Sequence, residues 1–479
     1  VPRDARVLDG DSLVVYPGLV DADGSADHEF PVEEFDRSEV ELWDAPRPIQ
    51  GFMPARLLSQ HLKADGEAVA SQRKAGIVAA AVHPGNAMMP GRGAVLLYRA
   101  DAEAPAALVV EPALGPKFAF RGGRGVYPGT LFGVTAFIRQ AFDDARYQAR
   151  LAAAYSSDPR GVTMPRHDAD YDVLRQVLDG ALPVYFEADE AVDILRVVSL
   201  ADEYGFRPVI VGGQDAWQVA DELARRDIPV LVSTDFGTPR RWDPEDASGE
   251  PLDAAAEREK DRFEDRYANA ARLAEAGVTF ALTSGGTGEM LEGVRKSVEY
   301  GLPAGAALAA VTSTPARLLG ISSVPRVEEG LPATFLVASG PLFDEETTVA
   351  YTFVEGILEE GAEPGAAAGD PDAAVDFAGV WDMTLDMGGQ NMSALLRVEQ
   401  DGATFEGSME VEGMTLQVRD GVINGNVINA TAIMTQGGQT IEIDIDGTVE
   451  GDTASGEADA GPMGVSRWTA RRTGPGGTR

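Results

Sequence analysis

The sequence predicts two folded parts: an α/β part built as a (β/α)8 TIM-type barrel over residues 17–320, and an all-β antiparallel meander barrel over residues 377–472. Three observations carry this. Short apolar runs alternate with amphipathic stretches from residue 17 to residue 320, the pattern of repeated strand-helix units around a parallel sheet. From Phe377 to Arg472 nearly every segment reads as a strand followed by a turn. Between the two, residues 359–376 are rich in Gly, Ala, Pro and Glu and read as a linker.

In chain order, residues 1–16 place Val7, Leu8, Leu13, Val14 and Val15 around the turn Asp9-Gly10-Asp11 and read as a small strand region. The clearest barrel strands are Ile77 to Val82, Leu182 to Phe186, Pro208 to Val211, Pro229 to Ser233 and Val278 to Thr283. Each is largely apolar, as expected where helices cover the outside and side chains fill the inside. Helical patterns run over Ala191 to Tyr204, Asp215 to Arg226, Glu257 to Ala276 and Gly288 to Tyr300. The strand ends Gly212-Gly213, Ser233-Thr234-Asp235 and Ser284-Gly285-Gly286 are expected to open into the mouth where such barrels place their chemistry.

The C-terminal strands are expected at Trp381 to Met387, Ser393 to Gln400, Thr404 to Val411, Thr415 to Arg419, Val427 to Thr435, Thr440 to Ile445 and Ser466 to Arg471. Their turns, Asp401-Gly402, Asp420-Gly421, Asn424-Gly425, Gly437-Gly438 and Glu450-Gly451-Asp452, hold residues that tolerate positive φ. An up-and-down barrel of about eight strands removes unpaired edges by closure, with a two-sheet sandwich as the alternative.

Composition narrows the function classes. A chain of 479 residues with 44% apolar content is long enough for two or three cores. The absence of cysteine excludes disulfides, thiolate metal sites and cysteine nucleophiles. With 77 acidic against 40 basic residues the net charge is −37, and nucleic acid is a poor partner for such a surface. A solvated acidic surface accounts for it, as would adaptation to high salt or secretion from an Arg-rich proteome. Lysine occurs only at 63, 74, 117, 260 and 296. No apolar run reaches the ~18 residues of a membrane span. The chain starts at Val1, so an initiator Met and a signal segment are expected to have preceded it, and an extracytoplasmic location, periplasmic or secreted, is the expectation.

Specific motifs add a resemblance. Tyr16-Pro17-Gly18-Leu19-Val20-Asp21-Ala22-Asp23-Gly24-Ser25 resembles the first barrel strand of the metal-dependent amidohydrolases, with Asp23-Gly24-Ser25 where that family carries His-x-His. Thr312-Ser313-Thr314-Pro315-Ala316-Arg317-Leu318-Leu319-Gly320 is similar to the helix that follows the family's last barrel strand. Gly330-Leu331-Pro332-Ala333-Thr334 resembles the family's return into a small β-sandwich shared with the N-terminal strands, here residues 1–16 and 321–358, with Thr334 where Asp is usual. Val349 to Leu358, with Glu355-Gly356, is similar to the last strand of that sandwich. His83-Pro84-Gly85-Asn86, Tyr127-Pro128-Gly129-Thr130 and Ile138 to Ala145 are similar to the imidazolonepropionase-related branch. In the C-terminal part, Gly379-x-Trp381 with Arg471 near the close resembles the calycin group of lipocalins and avidins, where a Trp plugs the barrel base and an Arg packs across it.

The resemblance implies a divalent ion that lowers the pKa of a bound water to about 7 and polarises the scissile carbonyl. Its ligands come from strand 1, strand 4 (a Lys or Glu), strands 5 and 6 (His) and strand 8 (Asp). Here the strand 1 positions hold Asp23 and Ser25, Glu187 stands at the strand 5 His, Gly212 at the strand 6 His and Gly285 at the strand 8 Asp. Glycine offers no ligand atom on a side chain. No metal or other cofactor is therefore expected, with zinc or another divalent ion as the alternative.

Of the four histidines, His28, His61 and His167 read as surface or lightly buried residues. His83 ends the run Ile77 to Val82 at the expected mouth. Asp23, Glu187 and Asp235 share that end and form a remnant set that oxygen-loving calcium or magnesium would suit, although solvation or pairing with Arg is the simpler account. Asp444, Asp446, Glu450 and Asp452 read as an acidic strand face. Gly122-Gly123-Arg124-Gly125 and Gly285-Gly286-Thr287-Gly288 lack the Lys-Ser/Thr of a phosphate loop.

Three functions follow. The first is an amidohydrolase-fold subunit that has lost metal-dependent hydrolysis and acts as a structural and interaction subunit beside an active amidohydrolase. The second is a metal-dependent hydrolase of amide or peptide bonds with ligands rearranged onto Asp23, His83, Glu187 and Asp235. The third is a self-assembling or small-ligand-binding protein. A homo-oligomer or an active amidohydrolase is the expected partner.

Overall fold

A computed structural model describes residues 13–31, 40–63, 67–85, 87–102, 104–123, 126–237, 239, 242, 252, 254–287, 290–321, 327–345, 347–360, 375–386, 391–402, 404–411, 414–424, 427–436, 439–459 and 465–474. The turn Asp9-Gly10-Asp11, residues 361–374 of the expected linker, Asn86, Arg124-Gly125, Gly288, Met387, Gly425 and Gly437-Gly438 lie outside the described residues. The chain divides into two compact units, Val1–Pro364 and Gly365–Arg479.

The strands of the first unit are β1 (Val14–Pro17), β2 (Leu19–Gly24), β3 (Ile77–Val82), β4 (Gly91–Arg92), β5 (Ala94–Leu97), β6 (Val109–Glu111), β7 (Pro116–Ala119), β8 (Val184–Ala188), β9 (Pro208–Gly212), β10 (Val230–Ser233), β11 (Phe280–Thr283), β12 (Phe335–Ala338), β13 (Val349–Val354) and β14 (Ile357–Glu360). β7, β8, β9, β10 and β11 pair in parallel in that order, and β2 pairs in parallel with β3. β11 returns beside β2, where the Ser284 N–H donates to Asp21 Oδ1 at 3.2 Å.

The barrel departs from the regular eightfold repeat that the alternation predicts. Among the described residues seven strands run parallel, and the third repeat is replaced by antiparallel pieces: β5 on β3, β6 on β5 and β4 on β7. A parallel crossover needs a covering helix. Residues 83–115 instead carry Pro84, Pro90, Pro105 and Pro112, and among the described residues there the helical turn is the short Pro105–Leu108.

Adjacent residues of a strand enter different cores. Val184, Phe186, Val230, Val232 and Leu282 pack outward against the helices, whereas Tyr185, Leu231 and Ala281 join an inner cluster. This is the two-residue period of a strand covered on both faces. The helix Leu131–Ser157 starts at Thr130, whose Oγ1 accepts from the Gly133 N–H at 3.2 Å, and buries Val134, Ile138, Ala141, Phe142 and Ala145 on one stripe. The helix Ala191–Tyr204 stops where Gly205 turns left-handed at φ 79°.

β1 joins β12, β13 and β14 in a four-stranded antiparallel sheet, with the Phe335 and Phe353 rings stacked at 4.6 Å. The N- and C-terminal ends of the unit therefore meet, and the described residues form one sheet there rather than two faces of a sandwich.

The second unit contains β15 (Gly379–Asp386), β16 (Asn391–Asp401), β17 (Thr404–Val411), β18 (Met414–Asn424), β19 (Val427–Gln436), β20 (Gln439–Glu450), β21 (Thr453–Asp459) and β22 (Val465–Gly474). Each pairs antiparallel with the next and β22 returns to β15, closing the barrel. The sequence reading lacked β21, whose Thr-Ala-Ser-Gly run is short of bulky residues. Small residues serve packing here: a Cβ at Gly447 would lie 2.3 Å from the Trp468 ring. Trp381 is fully buried and its Nε1–H donates to the Phe377 carbonyl at 2.9 Å.

The arginine across Trp381 is Arg472, 4.7 Å from the ring centroid, not the expected Arg471. Trp468 and Ala470 point inward, so strand alternation turns residue 472 inward and Arg471 outward.

Candidate functional site

Asp23, His83 and Glu187, at or beside the C-terminal ends of β2, β3 and β8, come together with Lys117 from within β7. Lys117 is the center of this group. It is buried, and its Nζ lies 3.4 Å from Glu187 Oε2 and 4.0 Å from Asp23 Oδ1. β7 pairs with β8 so that Lys117 lies beside Tyr185 and Ala119 beside Glu187. Arg121 closes the outer side with a 2.7 Å bond to Glu187 Oε1.

His83 is packed beneath this pair. Its ring lies 4.4 Å from that of Tyr185, and Nδ1 is 3.7 Å from Asp23 Oδ1, beyond direct hydrogen bonding. Among the described residues neither ring nitrogen has a hydrogen-bond partner. Burial lowers the pKa of His83, with Lys117 adding to the effect and Asp23 opposing it, so the imidazole is neutral. Burial pushes Asp23 up, but the nearby Lys117 ammonium opposes it, and the carboxyl lies below the usual range. Asp21 is fully buried with no cation beside it among the described residues; burial raises it to about 6, although it accepts from the Ser284 and Asp23 N–H groups.

Three of the four proposed remnant residues therefore gather, and Asp235 does not. Asp235 is exposed after β10; its Oδ1 accepts from the Gly237 N–H at 3.1 Å and its carbonyl from Gln214 at 2.7 Å, which spends it on a local turn. Ser25 is also withdrawn: its carbonyl accepts from Gln72 at 3.0 Å and from the Tyr98 hydroxyl at 3.0 Å. His28 and His61 flank Phe30, each at 5.1 Å, and His167 pairs with Asp172 at 2.9 Å on the surface.

Gly212 and Gly285 carry no ligand atom, and a side chain at either would have to displace a neighbour. At Gly212 (φ 93°) a Cβ would lie 2.2 Å from Asp189 Oδ1; at Gly285 (φ 65°) it would lie 2.4 Å from Ser233 Oγ. Both backbones are left-handed and both spaces are filled by neighbouring side chains. Among the described residues no three His, Asp or Glu converge as metal ligands. Lys117 stands on the strand before that of Glu187, where the resemblance expects a Lys or Glu ligand, but its ammonium lies between two carboxylates, and with Ser25, Gly212 and Gly285 the described residues do not reproduce the family's ligand set.

Lys117 was the residue that sequence reasoning left unplaced. The available signal was a lysine inside the apolar run Pro116-Lys117-Phe118-Ala119 of a chain whose basic residues are nearly all Arg.

Comparisons with known proteins bear on this frame. Residues 243–359 match the amidohydrolase family. No curated protein matches the chain. Among solved structures, an amidohydrolase from Thermotoga maritima is similar over 76% of this chain and 91% of its own, at 22% identity and a TM-score of 0.60. A prolidase complexed with N-methylphosphonate-L-proline (14% identity; 75% of this chain, 91% of that one; TM-score 0.39) and a Xaa-Pro dipeptidase with bound methionine (14%; 74% and 91%; 0.33) resemble it more distantly. The first unit thus has the amidohydrolase fold, with the family's sequence match confined to its C-terminal third.

Proposed function

We propose that this protein is an amidohydrolase-fold subunit that no longer performs metal-dependent hydrolysis, and whose barrel serves as a structural and interaction body beside an active amidohydrolase or further copies of itself. The observation that carries the reading is the Lys117 ammonium between Asp23 and Glu187. An internal cation satisfies the carboxylates that would otherwise attract an ion, and its charge repels one. Gly212 and Gly285 add the loss of two ligand positions that no rotamer change restores.

Within the same reading we assign the chain to the imidazolonepropionase-related branch, on residues 83–95 and 127–145, and the second unit to a calycin-like contact module at 377–472, on Trp381 under Arg472. An extracytoplasmic location is part of the proposal.

The test is an assay of the full chain with N-acyl amino acids and Xaa-Pro dipeptides, with and without added zinc or manganese. The reading expects no metal-dependent turnover. Turnover that appears with metal and is lost in Glu187→Gln would replace it with a hydrolase of rearranged ligands.

A further inference from the structure

The outer face of the second unit carries a feature that the barrel mouth does not explain. Four outward residues on four neighbouring strands form one row: Thr384 opposite Thr469, Thr469 opposite Ser455, and Ser455 opposite Thr448. The next row places Asp382 opposite Arg471. Together they line a depression of about 490 Å³. Threonine is common on exposed strands. A solitary threonine would mean nothing; a continuous row in a concavity is a different arrangement.

The chemistry of the row selects a ligand. Each hydroxyl both donates and accepts, and strands lie about 4.8 Å apart, so the row repeats donor and acceptor over roughly 14 Å. Among the described residues none of the hydroxyls of Thr384, Ser455, Thr469 and Thr448 has a side-chain hydrogen bond, and Asp382 and Arg471 have no ion pair. The Asp382 and Arg471 charges cancel locally, while the whole chain at −37 repels a polyanion. Among the described residues no aromatic ring lines the depression, so it offers hydrogen bonds rather than stacking.

We infer that this groove binds a short neutral oligosaccharide, whose ring hydroxyls repeat at a spacing close to that of the strands and alternate donor with acceptor as the row does. Asp382 and Arg471 then anchor adjacent hydroxyls at one end. Without stacking the affinity is modest, with Kd on the order of 1 mM.

The test titrates the full chain with cellotetraose, xylotetraose and maltotetraose, followed by NMR or calorimetry. Binding of at least one is expected, weakened at least fivefold in the double variant Thr384→Val/Thr469→Val, which keeps β-branched shape and removes two hydroxyls. Circular dichroism and the fluorescence of buried Trp381 and Trp468 check that the barrel is intact in the variant. Absence of binding by all three sugars overturns the inference. So does binding that the double variant leaves unchanged, or binding confined to an anionic glycan such as heparin.

Discussion

Lys117 Nζ lies 3.4 Å from Glu187 Oε2 on neighbouring parallel strands, a buried ammonium against a carboxylate that also takes a bond from Arg121. Asp23 depends on the same ammonium from the other side but has no arginine of its own among the described residues. Removing the cation therefore strands Asp23 more than Glu187. Lys117→Met is expected to cost about 3–5 kcal/mol in urea unfolding of the first unit, because a buried carboxylate loses its partner. Adding Asp23→Asn should recover a large part of that loss, since neither charge then remains unpaired.

The pH dependence of stability has two opposed sources near neutrality. Asp21 has a folded pKa of about 6 against 3.8, so the folded state holds the proton more tightly, and stability from this group falls as pH rises from about 4 to 6. His83 is shifted down, so its contribution runs the other way and is lost as pH falls through 6.5. Asp21→Asn isolates the first effect. Denaturant titrations at pH 4 and pH 7.5 should show the variant gaining on the parent by roughly 3 kcal/mol between the two, from about two pK units at 1.36 kcal/mol each. An unchanged difference would contradict the buried, uncompensated state of Asp21.

Restoring ligands should not restore a site. Gly212→His forces a side chain into the left-handed region and against Asp189, at a cost of about 1–3 kcal/mol. Gly285→Asp should cost less, because aspartate tolerates that backbone better. Thermal denaturation orders the two, and the double variant is expected to gain no bound zinc.

Trp381→Ala is expected to destabilise the second unit by about 3–5 kcal/mol, through the lost burial and the cavity left under Arg472. Limited proteolysis should then release the second unit's strands while the first unit stays intact. Equal loss in both units would mean that they unfold as one.

How much of this was legible in the sequence varied with the physics involved. Strands buried on both faces announced themselves: Ile77–Val82, Val230–Ser233 and Phe280–Thr283 lie within a residue or two of their expected limits. The antiparallel pieces at 91–111 did not, since three short runs between prolines carry no period. Asp23 and Glu187 lie at the strand ends where the sequence places them, because position along a strand fixes which side chain meets the mouth. Asp235 sits at the right height yet turns into its own loop, which depends on the local bond from Gly237. Lys117 escaped because four apolar-flanked residues give no spacing to count. Arg471 was taken for Arg472 because a one-residue error reverses the face of a strand.

The most direct test is elemental mass spectrometry of the natively purified full chain, with Glu187→Ala measured beside it. The account predicts no stoichiometric transition metal in either protein, with Lys117 serving as the cation of the barrel mouth. A full equivalent of zinc or manganese in the parent, lost in Glu187→Ala, would contradict it.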